Sequence, residues 1–597
     1  MTEWLHPALL LVAAAAAVPL LPSRAGRALS VAAPLAALAV CLAAPHGSWA
    51  ELEFFGLRLA PWRADALSSI FGAVFSLMGA LGAVYSLHEK NHFQRSAGLA
   101  YLGGALGITL AGDLLTLFVF WELSALAAAA LVFAGGRPGS GAAGMRYLMV
   151  HLSGGVLLLS GILLRAAGTG SLEFVSMTAE LSSPASWLIL AGFLLNAAVP
   201  PLGAWLPDAY PRASVTGAVL MTAYTTKSAV YALIRGFPGA EILVWLGALM
   251  AVYGVVYAVL ENDARRLLAY HIISQVGYMV CGVGIGTQLA LNGAAAHASA
   301  HIIYKALLFM GAGAVLHTTG KTRLSDMGGL WRGMPVTMGL YMIGAMSISA
   351  FPLFSGFVSK SMVVSAAGES LRAAPYLLLT LASAGTFLHT GLKLPYYMFF
   401  WRDSGTRGHE PPRNMLAAMG LAALACVLIG LFPGALYARL PFPVSYEPYT
   451  AAHVVSAVGM LSFTALGFFM FLRHLDPVPS VSLDTDWPYR RGAAAFMRFL
   501  HGPLGRFTDG LGKAALESLP ARLSMASENP RAFLRIAALE ARLYFSTPEA
   551  EAGLRERLEA ALKAYPGEVY LYRPVGSTVM WIMVLLVGYL ALYYLAN

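Results

Sequence analysis

The stretch AHASAHIIYKALLFMGAGAVL, residues 296–316, places His297, His301 and Lys305 inside an otherwise apolar run. A run of about twenty such residues is long enough to cross a bilayer as a helix. Because an α-helix turns once in about 3.6 residues, side chains four residues apart share one face. The stretch therefore predicts a membrane-spanning helix with a row of protonatable groups on one side.

The composition of the whole chain indicates the same class of protein. Of its 597 residues, 58% are hydrophobic and 12% are charged, which is about half the charged fraction of ordinary soluble domains. Hydropathy predicts about sixteen spans from end to end. Pro200-Pro201 interrupts the seventh and Pro352 the twelfth, and proline breaks a helix because it lacks a backbone donor. The fold class is an all-α polytopic membrane protein.

Charge and cysteine content exclude several other functions. Lysine and arginine concentrate in the odd-numbered connections, so the positive-inside rule places these in the cytoplasm. The formal charge of +9 is spread over these loops and does not indicate nucleic-acid binding. Cys41, Cys281 and Cys426 lie far apart in apolar segments, so they form no zinc or iron–sulfur motif. Without a P-loop or dinucleotide fingerprint, we expect no cofactor, no metal and no nucleotide hydrolysis.

Glu122 and Lys227 are the first ionisable residues expected at membrane depth. Glu122 follows Asp113 by about nine residues in an apolar helix, roughly half a membrane deep, and Lys227 lies inside a span predicted over 213–235. Buried ionisable groups are costly unless they meet a partner or water, so we expect these two to pair. The alternatives are an acid near the interface and a lysine that extends to the membrane surface, for which Arg235 is better placed.

The row His297, His301 and Lys305 allows three interpretations. Two histidines four residues apart can bind zinc, but no third ligand is near in the sequence. The row could also consist of polar residues that pack one helix of a bundle. Histidine titrates near neutrality and a desolvated lysine releases its proton readily. We therefore favour a hydrated proton path.

Other candidates lie near helix ends or breaks. Lys360 follows the proline break in SAFPLFSGFVSK, residues 349–360, and from there it could reach a cavity or the interface. Ser274 and Gln275 could hold water. Accessory candidates, for which a solvated side-chain tip is the alternative, are His151, His271, His389 and Lys393.

The connection from about 475 to 573 differs from the rest because it is charged and partly amphipathic. Ser546-Thr547-Pro548-Glu549 predicts a helix start, with a capping hydroxyl, proline in the first turn and an acid near the positive end of the helix dipole. One interpretation is a soluble appendage. The other is helices that lie along the cytoplasmic membrane face, which we favour because the segment connects two spans.

The sequence resembles the antiporter-like subunits of complex I (L, M and N types), of Mrp-type cation/proton antiporters and of membrane-bound hydrogenases. The resemblance covers about 65–473. AYHIISQVGYM and RYLMVHLSGGVLLLSGILL are most similar to the D-type subunit of Mrp antiporters, whereas the long connection and final span are similar to the L-type subunit of complex I. The segments that carry the resemblance, in order, are WLPDAYPRASVTGAVLMTAYTTKSAVYALIRG (205–236), DARRLLAYHIISQVGYM (263–279), AHASAHIIYKALLFMGAGAVL (296–316) and SAFPLFSGFVSK (349–360).

The resemblance implies an architecture of about fourteen core helices, in two inverted five-helix repeats, with broken helices 7 and 12. It also implies a hydrophilic axis across the membrane plane. The implied divisions are N-terminal transmembrane helices at 1–64, a proton-translocating core at 65–473, an amphipathic lateral segment on the cytoplasmic face at 474–573, and a final transmembrane helix at 574–597.

Roles for individual residues follow from the same resemblance. Glu122 matches the helix-five glutamate that pairs with a lysine, Lys227 the helix-eight lysine, and Lys360 the helix-twelve lysine near the exit. Asn196 stands where the family usually has a lysine on broken helix seven, so either Lys227 takes over the pairing with Glu122 or the input half-channel is altered. The helix-eleven pattern, with its last residue as central proton carrier, matches His297, His301 and Lys305.

The resulting hypothesis is a proton-translocating, antiporter-like subunit of a multisubunit complex in the inner (plasma) membrane, most like the D-type subunit of Mrp antiporters. Its expected partners are other membrane subunits and lipid. One alternative is exchange of Na⁺ or K⁺ for protons, with Asp113 or carbonyls near Pro200 and Pro352 as ligands. Others are an L-type membrane-arm subunit of a redox-driven pump (NADH-quinone oxidoreductase or hydrogenase) and a non-transporting membrane anchor of a redox enzyme. Membership of an enzyme complex stays open, since the chain itself has no predicted redox centre.

Overall fold

The computed structural model describes residues 5–477, 484–567 and 575–596. The chain divides into two compact units, Met1–Trp487 and Pro488–Asn597. Eleven helices in the described ranges are long and apolar enough to cross a membrane. The other predicted spans fall on helices that are shorter, less apolar or interrupted. The chain is thus a polytopic, predominantly α-helical membrane protein.

The first half of the large unit, described from residue 5 onward, contains ten helices and a β-hairpin. Several helices begin at a side-chain cap, as at Asp65 before α3 and Asn91 before α4. The helices are α1 (Pro7–Ala17), α2 (Ser23–Ala43), α3 (Ala66–Tyr85), α4 (His92–Leu110), α5 (Leu114–Phe133), α6 (Ser140–Thr169), α7 (Pro184–Asn196), α8 (Trp205–Ala209), α9 (Val215–Met221) and α10 (Thr225–Gly236).

The described part of the second half, up to residue 477, contains nine helices. The sixteenth helix of the chain continues through two stretches of wider, π-helical turns, Phe387–Lys393 and Tyr396–Phe400. The helices are α11 (Glu241–Leu260), α12 (Ala264–Ile285), α13 (Gln288–Thr319), α14 (Pro335–Ile348), α15 (Ser355–Glu369), α16 (Ala373–Thr386), α17 (Arg413–Leu431), α18 (Pro433–Tyr437) and α19 (Ala451–Met470). Short 3₁₀ turns occur at Val18–Leu20, Thr178–Glu180, Tyr210–Arg212, Leu324–Asp326, Leu330–Arg332 and Leu472–His474.

The C-terminal helices include a long, mostly exposed series and a final apolar helix. Helix α23 packs against α24. Helix α25 is apolar over its length and exposes its side chains, as a helix surrounded by lipid does. Residues 478–483, 568–574 and 597, parts of the predicted lateral segment and last span, lie outside the described residues. The helices are α20 (Asp486–Phe499), α21 (Gly505–Gly512), α22 (Leu519–Glu528), α23 (Pro530–Tyr544), α24 (Pro548–Lys563) and α25 (Val575–Ala596), with π-helical turns at Leu500–Leu504 and Lys513–Ser518.

A two-stranded antiparallel hairpin, which hydropathy does not indicate, connects α2 to α3. Strand β1 (Gly47–Phe54) pairs with β2 (Leu57–Ala64). The turn residues Phe55 and Gly56 both have positive φ, as a two-residue hairpin turn of type I′ requires. The backbone of Ala60 in β2 bonds Gly112, just before α5, which ties the hairpin to the helices.

The two breaks predicted at proline are confirmed. Helix α7 ends at Asn196, before the proline pair, and α14 ends at Ile348. Ala198 and Ala350, two residues beyond these ends, both have left-handed backbone angles, with φ of 62° and 56°. Such angles are uncommon for residues with a Cβ. The two breaks therefore share the same local backbone conformation.

A third break contradicts the prediction of one continuous span over 213–235. The chain leaves the helix after Met221 and resumes it at Thr225. No proline marks this position in the sequence. The Lys227 ammonium donates to the carbonyl of Thr222 at 2.7 Å, so a side chain satisfies the backbone group that the helix leaves free.

Helices α12 and α13 form the centre of the large unit. In the apolar window of α13 every residue is buried, and 94% of that of α12 is buried. By contrast, only 39% of the window of α6 and 11% of that of α19 are buried. Ionisable residues in the buried windows of α12 and α13 are therefore surrounded by protein rather than by lipid.

Candidate functional site

The predicted row on α13 lies in the most buried part of the molecule. Lys305 is 0% exposed, and its Nζ has no hydrogen-bond partner among the described residues. Both ring nitrogens of His301 are likewise without a partner in the described part of the chain. His297 Nδ1 lies 3.2 Å from the Ser359 hydroxyl of α15. Buried polar groups are normally hydrogen-bonded. The unpartnered nitrogens of this row are therefore positions that could bind water or take up a proton.

Polar side chains on α12 and α16 extend the site. His271 is fully buried, and neither ring nitrogen has a partner within the described ranges. One turn further along α12, the Gln275 amide donates to the Thr386 hydroxyl at 3.3 Å and accepts from the Tyr304 hydroxyl at 3.4 Å. Thr386 and Tyr304 were not sequence candidates, because nothing in their apolar surroundings distinguishes them. Together these groups join α12, α13 and α16 by polar contacts.

Lys360 lies at the break between α14 and α15. Its Nζ donates to the Ile348 carbonyl at 2.8 Å, the last residue of α14, and lies 5.3 Å from the centre of the Tyr278 ring. The break supplies the carbonyl that holds the ammonium, and the ring face adds a cation–π contact. Lys360 is 2% exposed and does not extend to the surface.

His389 and Lys393 lie in the π-helical turns that follow α16. The Lys393 ammonium donates to the Val259 carbonyl at 2.7 Å and to the Glu261 carbonyl at 3.4 Å, at the C-terminal end of α11. A helix C-terminus attracts a positive charge. His389 is buried, and its Nδ1 lacks a partner among the described residues.

The expected pair of Glu122 and Lys227 is not formed, so this prediction is wrong for the present conformation. Lys227 is fully buried on the first turn of α10, and it donates to the Thr222 carbonyl and, at 3.0 Å, to the Thr226 hydroxyl. Glu122 is turned toward α6, where a Cβ added to Gly155 would overlap its Oε1. That oxygen has no partner in the described residues. The Thr222 carbonyl at the third break thus accepts the hydrogen bond from Lys227 that was expected to go to the carboxylate.

Asn196, at the end of α7, contacts a histidine of α6. Its Oδ1 lies 2.8 Å from His151 Nδ1, and both residues are buried. The His151 ring packs on Tyr147 and Trp205, with ring centroids 4.0 and 4.4 Å apart. The structure therefore joins two accessory candidates that are 45 residues apart in sequence.

Asp113 has the contacts of a structural cap. Its Oδ1 accepts from the Thr116 amide at 2.7 Å, and its Oδ2 accepts from the Ala60 amide of the hairpin at 2.9 Å. These bonds hold the start of α5 and β2 together. Its two oxygens are occupied, so the geometry gives no support to Asp113 as a cation ligand. Among the described residues, no group of three or more histidine, cysteine or acidic side chains could hold a metal ion.

Comparison with known proteins shows a family match and several similar membrane proteins. Residues 111–389 match the family described as "NADH:quinone oxidoreductase/Mrp antiporter, TM". The A/B component of a probable K(+)/H(+) antiporter of Rhizobium meliloti is 31% identical over 62% of this chain and 40% of that protein. The N component of the NADH-quinone oxidoreductase of Desulforudis audaxviator is 34% identical over 55% and 72%. The D component of the Na(+)/H(+) antiporter of Alkalihalophilus pseudofirmus is 35% identical over 50% and 64%. The chain thus spans less than two thirds of the length of the first and third of these relatives.

Solved structures share the fold. One protein of the Mrp complex from Dietzia sp. superposes with a TM-score of 0.64 at 23% identity, covering 77% of this chain and 98% of that protein. One protein of respiratory complex I from Thermus thermophilus gives a TM-score of 0.65 at 24% identity, covering 76% and 99%. The predicted antiporter-like membrane fold is therefore confirmed.

Proposed function

Because the chain belongs to the NADH:quinone oxidoreductase/Mrp antiporter membrane family, we propose that it is a proton-translocating, antiporter-like subunit of a multisubunit complex in the inner (plasma) membrane. The observation that carries the proposal is the series of buried ionisable groups through the core, in which Lys305 and His301 have no protein partner among the described residues. Ionisable groups inside membrane proteins are costly and mark ion or proton pathways. A bundle that served only for support would gain nothing from them.

The path runs along the centre of the large unit. Lys227 lies on the input side, at the third break, and His301 and Lys305 lie on α13. Lys360, held by the carbonyl at the break before α15, lies on the exit side, with Lys393 at the end of α11 as an accessory group. Each of these groups can hold a proton, and water between them would carry it from one to the next. Glu122 would control proton entry. A carboxylate close to Lys227 favours the charged ammonium, and movement of the carboxylate away favours release of the lysine proton.

The test is Lys305→Ala in the intact complex, reconstituted in vesicles. We expect proton translocation to fall at least tenfold while the complex assembles, because the central carrier is removed from a site that holds no ion pair. Lys321→Ala, which changes an exposed lysine of the loop after α13, is the matched control and should keep the normal rate. Normal flux in Lys305→Ala would refute the proposal.

A more specific version of this function is the exchange of Na⁺ or K⁺ for protons. It is favoured by the similarity to the D component of a Na(+)/H(+) antiporter. Inverted vesicles with the complex should release acid when Na⁺ or K⁺ is added, in proportion to the ion gradient. If the rate of acid release did not depend on Na⁺ or K⁺, the chain would conduct protons without exchanging cations.

A place in a redox-driven pump is favoured by the similarity to the N component of an NADH-quinone oxidoreductase. Mild purification and mass spectrometry of the associated subunits would distinguish the two. Iron–sulfur, flavin or nickel subunits would assign the chain to the membrane arm of a redox pump, and small membrane subunits alone to an antiporter. A non-transporting anchor would be indicated by an unchanged pumping stoichiometry in the double variant Glu122→Gln, Lys305→Ala.

A further inference from the structure

His151 is a buried histidine that the path described above does not use. It lies on α6 between the rings of Tyr147 and Trp205. Its Nδ1 is 2.8 Å from Asn196 Oδ1, and since a carbonyl oxygen only accepts, Nδ1 carries the hydrogen of this bond. In the neutral ring Nε2 is then an acceptor, and it has no partner among the described residues. The ring is thus fixed in orientation with one basic nitrogen unused.

Glu122 lies against the next turn of α6. Its carboxylate rests against Gly155, the residue one helical turn after His151 on the same face of α6. Four residues correspond to about 6 Å along the axis, a gap that two hydrogen-bonded water molecules can span. Oε1 of Glu122 also lacks a partner in the described part of the chain. Two unpartnered polar atoms therefore lie on neighbouring turns of one helix face.

Hydroxyl groups lie near the preceding turn of α6. Tyr147, which packs on His151, contacts the Thr225 hydroxyl at 3.0 Å, and Tyr101 contacts the same hydroxyl at 2.5 Å. Thr225 begins α10. The next residue, Thr226, accepts a hydrogen bond from the Lys227 ammonium at 3.0 Å. The hydroxyls therefore connect the surroundings of His151 to the helical turn that holds the lysine.

We propose that His151 relays protons between Glu122 and Lys227, and that Asn196 is its positioning residue. In the forward step the Glu122 carboxylic acid gives its proton through water to His151 Nε2, which leaves a carboxylate and an imidazolium. The imidazolium then releases the Nε2 proton toward the neutral Lys227 amine through water and the hydroxyls, while Nδ1 keeps its hydrogen on Asn196. Each step breaks and forms one bond to hydrogen, so charge and atoms balance. The relay rests on the proposed function, because it has a role only if protons cross this protein.

The first experiment is His151→Gln in the full complex, reconstituted in vesicles and assayed for the initial rate of proton translocation. Glutamine can still bond Asn196 but cannot take up a proton, so we expect at least a tenfold loss in an assembled complex. His317→Gln, at the exposed last turn of α13, is the control and should keep the wild-type rate. A wild-type rate for assembled His151→Gln would overturn the relay.

The second experiment changes the positioning residue and remains decisive if His151→Gln does not assemble. Asn196→Asp keeps an acceptor oxygen for Nδ1 and should retain most of the rate, whereas Asn196→Leu removes it and should lower the rate several-fold. Equal rates in assembled Asn196→Leu and wild-type complexes would overturn the positioning role and, with it, the relay.

Lys305→Ala, measured in parallel, separates the two proposals. If Lys305→Ala is inactive and His151→Gln is normal, only the relay fails. If Lys305→Ala itself translocates protons normally, the proposed function fails.

Discussion

Single buried atoms carry the functional argument. Lys305 Nζ and both nitrogens of His301 lie in the most buried helix without a protein partner among the described residues. A polar atom in this position costs free energy unless water or a transferred proton satisfies it. A protein that kept such atoms only for packing would be more stable with apolar ones. The proposed proton translocation gives these atoms a role that packing does not.

Gly155 gives a residue-scale test of the input side. A Cβ on Gly155 would overlap Oε1 of Glu122, and the carboxylate, at the end of a flexible side chain, would have to move. We expect Gly155→Ala to assemble but to translocate protons several-fold more slowly. Gly141→Ala on the same helix, where an added Cβ meets no atom within 4 Å, should leave the rate unchanged. Equal rates for the two variants would show that the position of Glu122 is unimportant.

At the scale of the helix, Asp65 both caps the start of α3 and forms an ion pair with Arg235. Its Oδ1 accepts from the Ser68 amide at 2.8 Å and the Ser68 hydroxyl accepts from the Asp65 amide, which completes a capping box. Both carboxylate oxygens also accept from Arg235 of α10, at 2.9 and 2.7 Å. Burial raises the pKa of Asp65, but Arg235 and the Ser68 amide outweigh it, so that the net shift is downward.

The cap predicts an ordered series of thermal stabilities. Asp65→Ala removes the cap and the ion pair and should cost about 1–2 kcal/mol, whereas Asp65→Asn keeps a capping oxygen and should cost less. The folded-state pKa is below the ordinary value of 3.8, so the charge stabilises the protein above about pH 4 and this contribution is lost as the pH falls further. Apparent Tm in detergent between pH 3 and 7 is the measurement. The same acid-dependent loss in Asp65→Asn would contradict this assignment.

At the scale of the whole molecule, Asp484 connects the end of the large unit to its centre. This carboxylate, 7% exposed, accepts hydrogen bonds from the hydroxyls of Tyr253 on α11 and, at 2.6 Å, of Tyr270 on α12. Nothing in the sequence around Asp484 distinguishes it, because its partners are more than 200 residues away. The contact fixes the chain just before α20 against α11 and α12. The C-terminal end of α11 binds Lys393, and α12 carries His271.

Removing this carboxylate should release the segment without unfolding the core. We expect Asp484→Ala to increase hydrogen exchange in residues 484–487 at least tenfold, because two bonds to a charged acceptor, each worth about 1.5–3 kcal/mol, are lost. Exchange in α13 should stay unchanged. Asp509→Ala, in an exposed part of α21, is the control. Unchanged exchange in Asp484→Ala would show that these bonds do not hold the segment.

The sequence by itself determined the membrane class, the position of most spans and the breaks at Pro200 and Pro352. Hydropathy and proline act locally, so they can be read from neighbouring residues. The row on α13 was also predictable, because helical spacing alone places its members on one face. The hairpin was missed because the alternation of polar and apolar residues in its strands is too short to appear in hydropathy averaged over a span. The break after Met221 was missed because no proline marks it.

Only the tertiary structure decided which polar groups meet. Lys227 bonds the carbonyl of Thr222 rather than Glu122, and Glu122 faces Gly155. Asn196 and His151 come together from different helices, as do Asp484 and Tyr270. These contacts depend on helix rotation and on side-chain direction across distances of tens to hundreds of residues. Hydropathy averages over that information, because it records how much of a helix is apolar and not which way each side chain points.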